Sequence, residues 1–461
     1  MLGHREILAD FDGGDITSDG GALLLRKVEH LTAIIPQFAA CFTDHRTADQ
    51  IEHTVEELIA QRVYALALGS EDLNDHDDLR RDPLRAAVVG KPDPTGQTRP
   101  RRRDRGKALA GQSTLNRLER TPVGADADSR YQKIICRTHH VEQLLVTLFL
   151  QAHATPPERI VLDLDATDDP VHGHQLGRFC HGYYKSSCYL PLYIFCGDHR
   201  LCARLRPSDI DASAGAVKQL QRIVAQIRQA WPKVKITIRA ASGFCREPIL
   251  GWCEANGVDY VLGLAQNPRL LAMITAQQEQ ARQAFEVTKQ PARVFADLRY
   301  RTLESGSRQR RVVAKAEHLA KGANPRFVVT SLLAEDRPAQ PLYEEDYCGR
   351  GEAENRIQEQ QLHLFADRTS AGTMRANQVR LFVCSIAYTL LNALRWLGLE
   401  GTGMAEAQCQ TIRLKLLKIG ALVRVTVRKV WVHRASSCPY AEAFRRVHAN
   451  LSGVRPLVLR C

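Results

Sequence analysis

Two acidic clusters stand far apart in the chain, V-L-D-L-D-A-T-D-D-P-V-H-G from Val161 to Gly173 and Y-C-G-R-G-E-A-E-N-R from Tyr347 to Arg356, and each has the form of half a metal site. In the first, an apolar run ends in carboxylates. Side chains alternate faces along a strand, so Asp163 and Asp165 point the same way. A carboxylate in an otherwise apolar strand is costly unless a cation pairs with it. That singles out Asp165 as a metal ligand, with Asp163 as the register alternative, while Asp168-Asp169-Pro170 reads as a solvated turn. In the second cluster Tyr347, Arg350, Glu354 and Gln361 lie at offsets of 0, 3, 7 and 14, along one stripe of a helix. A salt-bridged surface face would give the same spacing, but a packing face would hold Leu or Ile rather than an aromatic, a guanidinium, a carboxylate and an amide. Carboxylate oxygens at both places suit a divalent cation working on a phosphate.

The bulk of the chain fits such a substrate. Lys and Arg outnumber Asp and Glu by 63 to 51, a formal net charge of +12, which favours a polyanionic partner over an acidic small metabolite. At 461 residues, 44% hydrophobic and 25% charged, the protein is globular and long enough for two to four folding units. Thirteen cysteines without a C-x-x-C pair indicate neither a disulfide framework nor a zinc ribbon, and fit a reducing cytoplasm. The N-terminus has no signal-peptide pattern. The longest apolar stretch, Val379 to Leu399, is interrupted by Arg380, Asn392 and Arg395 and reads as a buried helix rather than a membrane span.

The elements that must position these residues divide into five stretches. Residues 1–155 read as helical, with helices from Ala22, around Ile51 to Leu66, from Ser113 or Thr114, and from Ser129 to about Ala152. Within them K-P-D-P-T-G-Q-T-R-P-R-R-R-D-R-G-K, Lys91 to Lys107, reads as a flexible basic loop. Its Arg101, Arg102, Arg103, Arg105 and Lys107 are candidate contacts to a DNA backbone, or else a solvated linker. Residues 156–285 give strands at Ile160 to Asp165, Cys188 to Cys196 and Arg200 to Leu205, a helix from about Ala212, a strand at Val234 to Ala240, a helix near Pro248, and a strand at Tyr260 to Leu264. Three strands, helix, strand, helix, strand is the order of a ribonuclease-H-like mixed α/β sheet. Residues 286–336 read as an all-β insertion, and residues 337–400 as the second part of the core with the glutamate helix. In the basic region 401–461, I-R-L-K-L-L-K and V-R-V-T-V-R-K-V-W-V-H-R alternate apolar with cationic residues, as strands do.

D-x-D-A-T on the first strand, together with Tyr-x2-Arg-x3-Glu on a helix after a β insertion, resembles the DDE transposases of bacterial insertion sequences. The phrases D-L-D-A-T-D-D-P-V-H-G-H-Q, H-G-Y-Y, L-P-L-Y-I-F-C-G-D, S-G-F-C-R, E-N-R-I-Q-E-Q-Q and L-F-A-D-R-T-S are similar to one branch, the insertion sequence thirteen-eighty group, over nearly the whole chain. The resemblance implies two aspartates and a glutamate holding two Mg²⁺ (or Mn²⁺) ions that cut and join DNA strands. It places the first carboxylate at Asp165 and the third at Glu354, and gives Tyr347 and Arg350 the task of steadying Glu354 and the phosphate. It further implies double-stranded DNA partners, namely terminal inverted repeats and target DNA, a homodimer pairing two ends, and a nucleoid-associated cytoplasmic location, with Arg356 and Gln361 as further DNA contacts. The sequence departs from the pattern twice. Gln361 stands where a lysine is usual, and Ala241, in R-A-A-S-G-F-C-R-E, stands where the second aspartate belongs. A methyl group ligates no metal, and neither Ser242 nor Glu247 is a convincing substitute. The chain therefore reads as a transposase by descent with impaired strand cutting, or as a non-catalytic DNA-binding regulator or dominant inhibitor derived from one.

Overall fold

A computed structural model describes residues 7–182 and 185–455. Tyr183 and Tyr184 of the H-G-Y-Y motif, and the first six residues of the N-terminal segment, lie outside the described residues. Contacts divide the chain into two compact units, Leu145–Gln358 and a second that joins Met1–Leu144 to Glu359–Cys461.

The Leu145–Gln358 unit is built on a nine-stranded mixed sheet. Its principal strands are β1 (Arg159–Ala166), β2 (Leu192–Cys196), β3 (His199–Arg204), β4 (Lys235–Ala240), β5 (Asp259–Leu264), β6 (Ala292–Tyr300), β7 (Arg310–Leu319) and β8 (Arg326–Thr330), in the order β6-β7-β8-β5-β4-β1-β2-β3. The pairs β1–β2 and β2–β3 are antiparallel, while β1–β4 and β4–β5 are parallel. This is the expected ribonuclease-H-like arrangement. Helix α1 (Ala216–Ala230) makes the crossover from β3 to β4 and α2 (Glu247–Ala255) the one from β4 to β5, as parallel pairing requires. The strands are nearly continuous apolar runs because both faces are covered.

The two faces are unequal. Ile160, Leu162 and Leu164 of β1, Ile236 and Ile238 of β4, and Tyr260 and Leu262 of β5 bury against Leu220, Ile223 and Ile227 of α1 and Ile249 of α2. Each such fully buried side chain contributes roughly 1.5–3 kcal/mol, which makes this face the main core. Alternation sends Asp163, Asp165, Arg239, Val261 and Gly263 to the other face. There a thinner cluster of Val261, Val313, Val328, Leu342 and Tyr343 packs beneath the helical run that leads into α4 (Gly351–Leu364). The charged residues therefore lie on the sheet face with less apolar cover.

Several expectations need correction. Residues 286–336 do not form a sheet of their own: β8 pairs antiparallel with β5 over Val261↔Thr330 to Leu264↔Phe327, so β6, β7 and β8 extend the core sheet. The span Cys188 to Cys196 is two strands, Ser186–Tyr189 and β2, separated at Leu190 and Pro191, where proline has no N–H to give a ladder. Asp169, expected in a solvated turn, is buried and pairs in register with Tyr189. A helix at Thr275–Thr288 was not anticipated.

In the second unit the helix expected from Ser129 starts at Thr138, because Ile134–Cys136 instead pairs as a strand with Phe42–Asp44. Val55–Ala67 carries a capping box between Thr54 and Glu57. Met374–Leu399 is long and apolar enough to cross a membrane, yet its most apolar window is 83% buried inside the protein, as a core helix would be. The alternation in I-R-L-K-L-L-K is not a strand: Cys409–Leu417 is helical, and the Arg413 guanidinium is buried against the carbonyls of Leu66 and Ala67, at 3.0 and 2.9 Å. The second basic repeat does form a hairpin, Ala421–Val425 with Val430–Arg434, edged by Ile16–Thr17.

Candidate active site

The β1–β4 ladder pairs Asp163 with Arg239 and Leu164 with Ala240. The next step of the pleat places Ala241, still extended at φ −69° and ψ 171°, beside Asp165 and on the same face. Parallel pairing thus sets Asp165 and Ala241 side by side at the C-terminal ends of neighbouring strands, where open α/β sheets build their sites.

Glu354 is carried by a separate helical run. Tyr347 ends an irregular turn (Leu342–Tyr347), Arg350 ends a 3₁₀ turn (Cys348–Arg350), and Glu354 lies in the first turn of α4. The regular helix assumed for the stripe begins only at Gly351; wider and tighter turns precede it, and they bring the Tyr347 hydroxyl down onto Gly263 of the sheet. Two glycines permit the approach. A Cβ on Gly263 of β5 would lie 2.5 Å from the Tyr347 hydroxyl and 3.0 Å from the Ser242 amide nitrogen, and one on Gly349 would lie 2.5 Å from the Arg239 guanidinium. Neither position tolerates a larger residue without a shift.

Charge binds the cluster together. Arg239 grips Asp163 with two donors, Nε to Oδ1 at 2.5 Å and Nη2 to Oδ2 at 2.8 Å, and gives a third to the Asp346 carbonyl at 2.6 Å, linking β1, β4 and the run into α4. Burial raises the Asp163 carboxyl above its usual range, against the pull of Arg239. Arg350 forms an ion pair with Glu354 one helical turn on. Burial pushes the Asp165 carboxyl up to about 6, opposed by the Ala166 amide and the Arg350 charge, and the carboxylates of Glu354 and Asp163 push it further. Burial lowers the Arg350 pKa, but the Glu354 ion pair together with the charges of Tyr347 and Asp165 raises it overall. Asp165 thus feels the charges of both Arg350 and Glu354.

The donor set does not fit a pair of metal ions. Asp163 is committed to Arg239, and Glu247, the other nearby acid after β4, is held by Arg310 at 2.7 and 2.8 Å. The second position offers a methyl group. Among the described residues no group of three or more His, Cys, Asp or Glu is placed to hold a metal ion.

The remaining candidates sit elsewhere. Arg356 pairs with Asp198 and, at 3.2 Å, with Glu352, so it ties α4 to the β2–β3 turn. Gln361 is half-buried further along α4, in the stretch assigned to the other unit. In that unit the basic loop is folded rather than loose: Asp93 accepts hydrogen bonds from the backbone amides of Thr95 and Thr98 at 3.0 and 2.7 Å, and the Gly106 amide donates to the Gly96 carbonyl at 3.1 Å. Arg101, Arg102, Arg103 and Arg105 are exposed, whereas the Lys107 ammonium turns back onto the Arg103 carbonyl at 2.8 Å. Arg101 and Arg103 line a cleft of about 830 Å³ with Arg46, Arg80 and Arg117. Sequence reasoning passed over Arg239, although a lone arginine in K-I-T-I-R-A was a signal equal to Asp163 in V-L-D-L-D.

The large mixed sheet flanked by helices agrees with the ribonuclease-H-like fold of DDE transposases. Consistent with it, the family model described as transposase DDE domain, group 1, matches residues 1–456, and the chain belongs to that family. A search of curated proteins found no match.

Proposed function

We propose that the protein binds the terminal inverted repeats of its own insertion element, an element of the thirteen-eighty group, and pairs two ends as a homodimer in the cytoplasm, at the nucleoid. In this reading strand cleavage and transfer are abolished or severely impaired. The observation that carries it is the position of Ala241 beside Asp165, whose carboxyl also feels the charge of Glu354. An intact set of three carboxylates would be needed to hold two Mg²⁺ or Mn²⁺ ions, the Lewis acids that DNA strand cleavage would call for. What this chain's residues do is narrower: Arg350 holds Glu354, Arg239 holds Asp163, and Tyr347 closes over Gly263. The exposed arginines of residues 101–105 supply backbone contacts that position DNA without reading its sequence. A regulatory role, occupying element ends and excluding intact copies, follows from binding without cutting.

The test is a labelled fragment carrying one element end, incubated with the protein and Mg²⁺. Retention of the fragment uncut, with cutting gained by Ala241→Asp, supports the reading. Failure to retain the end, or cutting by the unaltered chain, overturns it.

A further inference from the structure

The C-terminal hairpin carries an unusual tip. Its ladder sets Leu422 opposite His433 and Arg424 opposite Trp431, on the exposed face, while Ala421 and Val423 turn inward and are buried. The turn is closed by the Thr426 amide donating to the Lys429 carbonyl at 2.9 Å and the Lys429 amide donating to the Thr426 hydroxyl at 3.1 Å, which leaves Val427 and Arg428 at the apex. Gly, Asn and Asp are the residues that make such turns easily; a β-branched valine does nothing for the turn. Yet Val427 is fully exposed. Behind it Trp431 is 41% exposed, with the Lys429 ammonium 5.2 Å and the Arg424 guanidinium 5.9 Å from its ring centre. From Ala421 to Arg434 there are four Arg or Lys residues, a histidine and no acid.

An apolar point flanked by cations matches the chemistry of a DNA duplex, where phosphates take the charges and a small apolar side chain enters the base stack. A protein partner would call for a broader apolar centre with fewer charges. We propose that this hairpin is a DNA-bending arm, with Val427 as a wedge between base pairs and Arg424, Arg428 and Lys429 on the flanking phosphates. The proposal rests on the reading that the chain binds duplex DNA, and adds that it kinks the duplex, by roughly 20–90° as such wedges do.

The experiment uses the full chain and a short mixed-sequence duplex with a donor dye at one end and an acceptor at the other. Binding of the unaltered protein is expected to raise energy transfer. Val427→Ser, which keeps the turn and its charges, is expected to bind within a few-fold of the parent without raising transfer, while Val427→Ile keeps the bend. Arg424→Ala, Arg428→Ala and Lys429→Ala combined are expected to flatten the log K against log salt slope by about 2.7, at roughly 0.9 per phosphate contact. If the unaltered protein binds no duplex, the DNA reading falls and the proposal with it. If it binds and Val427→Ser bends the duplex equally, or the charge variant keeps its salt slope, the arm alone is refuted. A Val427→Ser variant that bends DNA normally but sediments differently marks the hairpin as a protein interface and equally overturns the proposal.

Discussion

Replacing Asp165 with asparagine tests whether the candidate site is a place of stored electrostatic cost. The Asp165 carboxyl is held at about 6 instead of the ordinary 3.8, first by burial and then by repulsion from Glu354 and Asp163. Each pKa unit corresponds to about 1.4 kcal/mol, so the ionised carboxylate destabilises the fold by on the order of 3 kcal/mol. Because the folded state holds this proton more tightly than the unfolded chain, stability falls as pH rises from about 4 through about 6, and the full cost is present above that window. Asparagine has the same shape without the charge. Urea unfolding followed by tryptophan fluorescence, with Trp231 and Trp252 reporting on this unit, is therefore expected to find Asp165→Asn more stable than the parent by up to about 3 kcal/mol at pH 8. Near pH 4 the two should coincide. A variant no more stable at pH 8, or one whose advantage is the same at both pH values, would refute the placement of Asp165 in a half-buried, acid-crowded site.

Three other perturbations have defined outcomes. Arg239→Met strips the buried Asp163 of its bidentate partner and should cost about 3–5 kcal/mol in the same unfolding assay, with Asp163→Asn added to it recovering most of the loss. Gly263→Ala drives a methyl into the Tyr347 hydroxyl and should cost roughly 1–3 kcal/mol, less when combined with Tyr347→Phe, a coupling that thermal denaturation of the four chains will measure. Changing Arg101, Arg102, Arg103 and Arg105 together to alanine should weaken duplex binding uniformly across sequences and lower its salt slope by roughly 0.9 for each lost phosphate contact, read by titrations at several salt concentrations.

The charged candidates were legible in the sequence because each contradicts its surroundings: Asp163 and Asp165 interrupt an apolar strand, and Arg350 and Glu354 interrupt what would otherwise be a packing stripe. Strand order in the core was legible for a related reason, since alternating strand and helix admits few topologies. What a residue pairs with across the sheet was not. Arg239 sits 76 positions from Asp163, and only the parallel register makes them partners. The same blindness hid the junction of β5 with β8, which turns an apparent insertion into a continuation of the sheet. At Ile412 to Lys418 the pattern itself was ambiguous, because Ile412 and Leu416 satisfy a helical spacing while Ile412, Leu414 and Leu416 satisfy a strand; burial of Arg413 against two helix-end carbonyls decides for the helix.

The central claim is that Asp165, the Ala241 position and Glu354 are three corners of one site and that the methyl at the second corner is what stops cutting. Nicking of a supercoiled plasmid carrying element ends, with Mg²⁺ or Mn²⁺, measures this directly in four chains: the parent, Ala241→Asp, and Ala241→Asp combined with Asp165→Asn or with Glu354→Gln. The expected result is nicking by Ala241→Asp alone, with each double variant returned to the parent's level, a loss exceeding the roughly 10–100-fold that removal of an outer-sphere partner costs. Nicking by the parent, no gain from Ala241→Asp, or a gain that survives Glu354→Gln would contradict it.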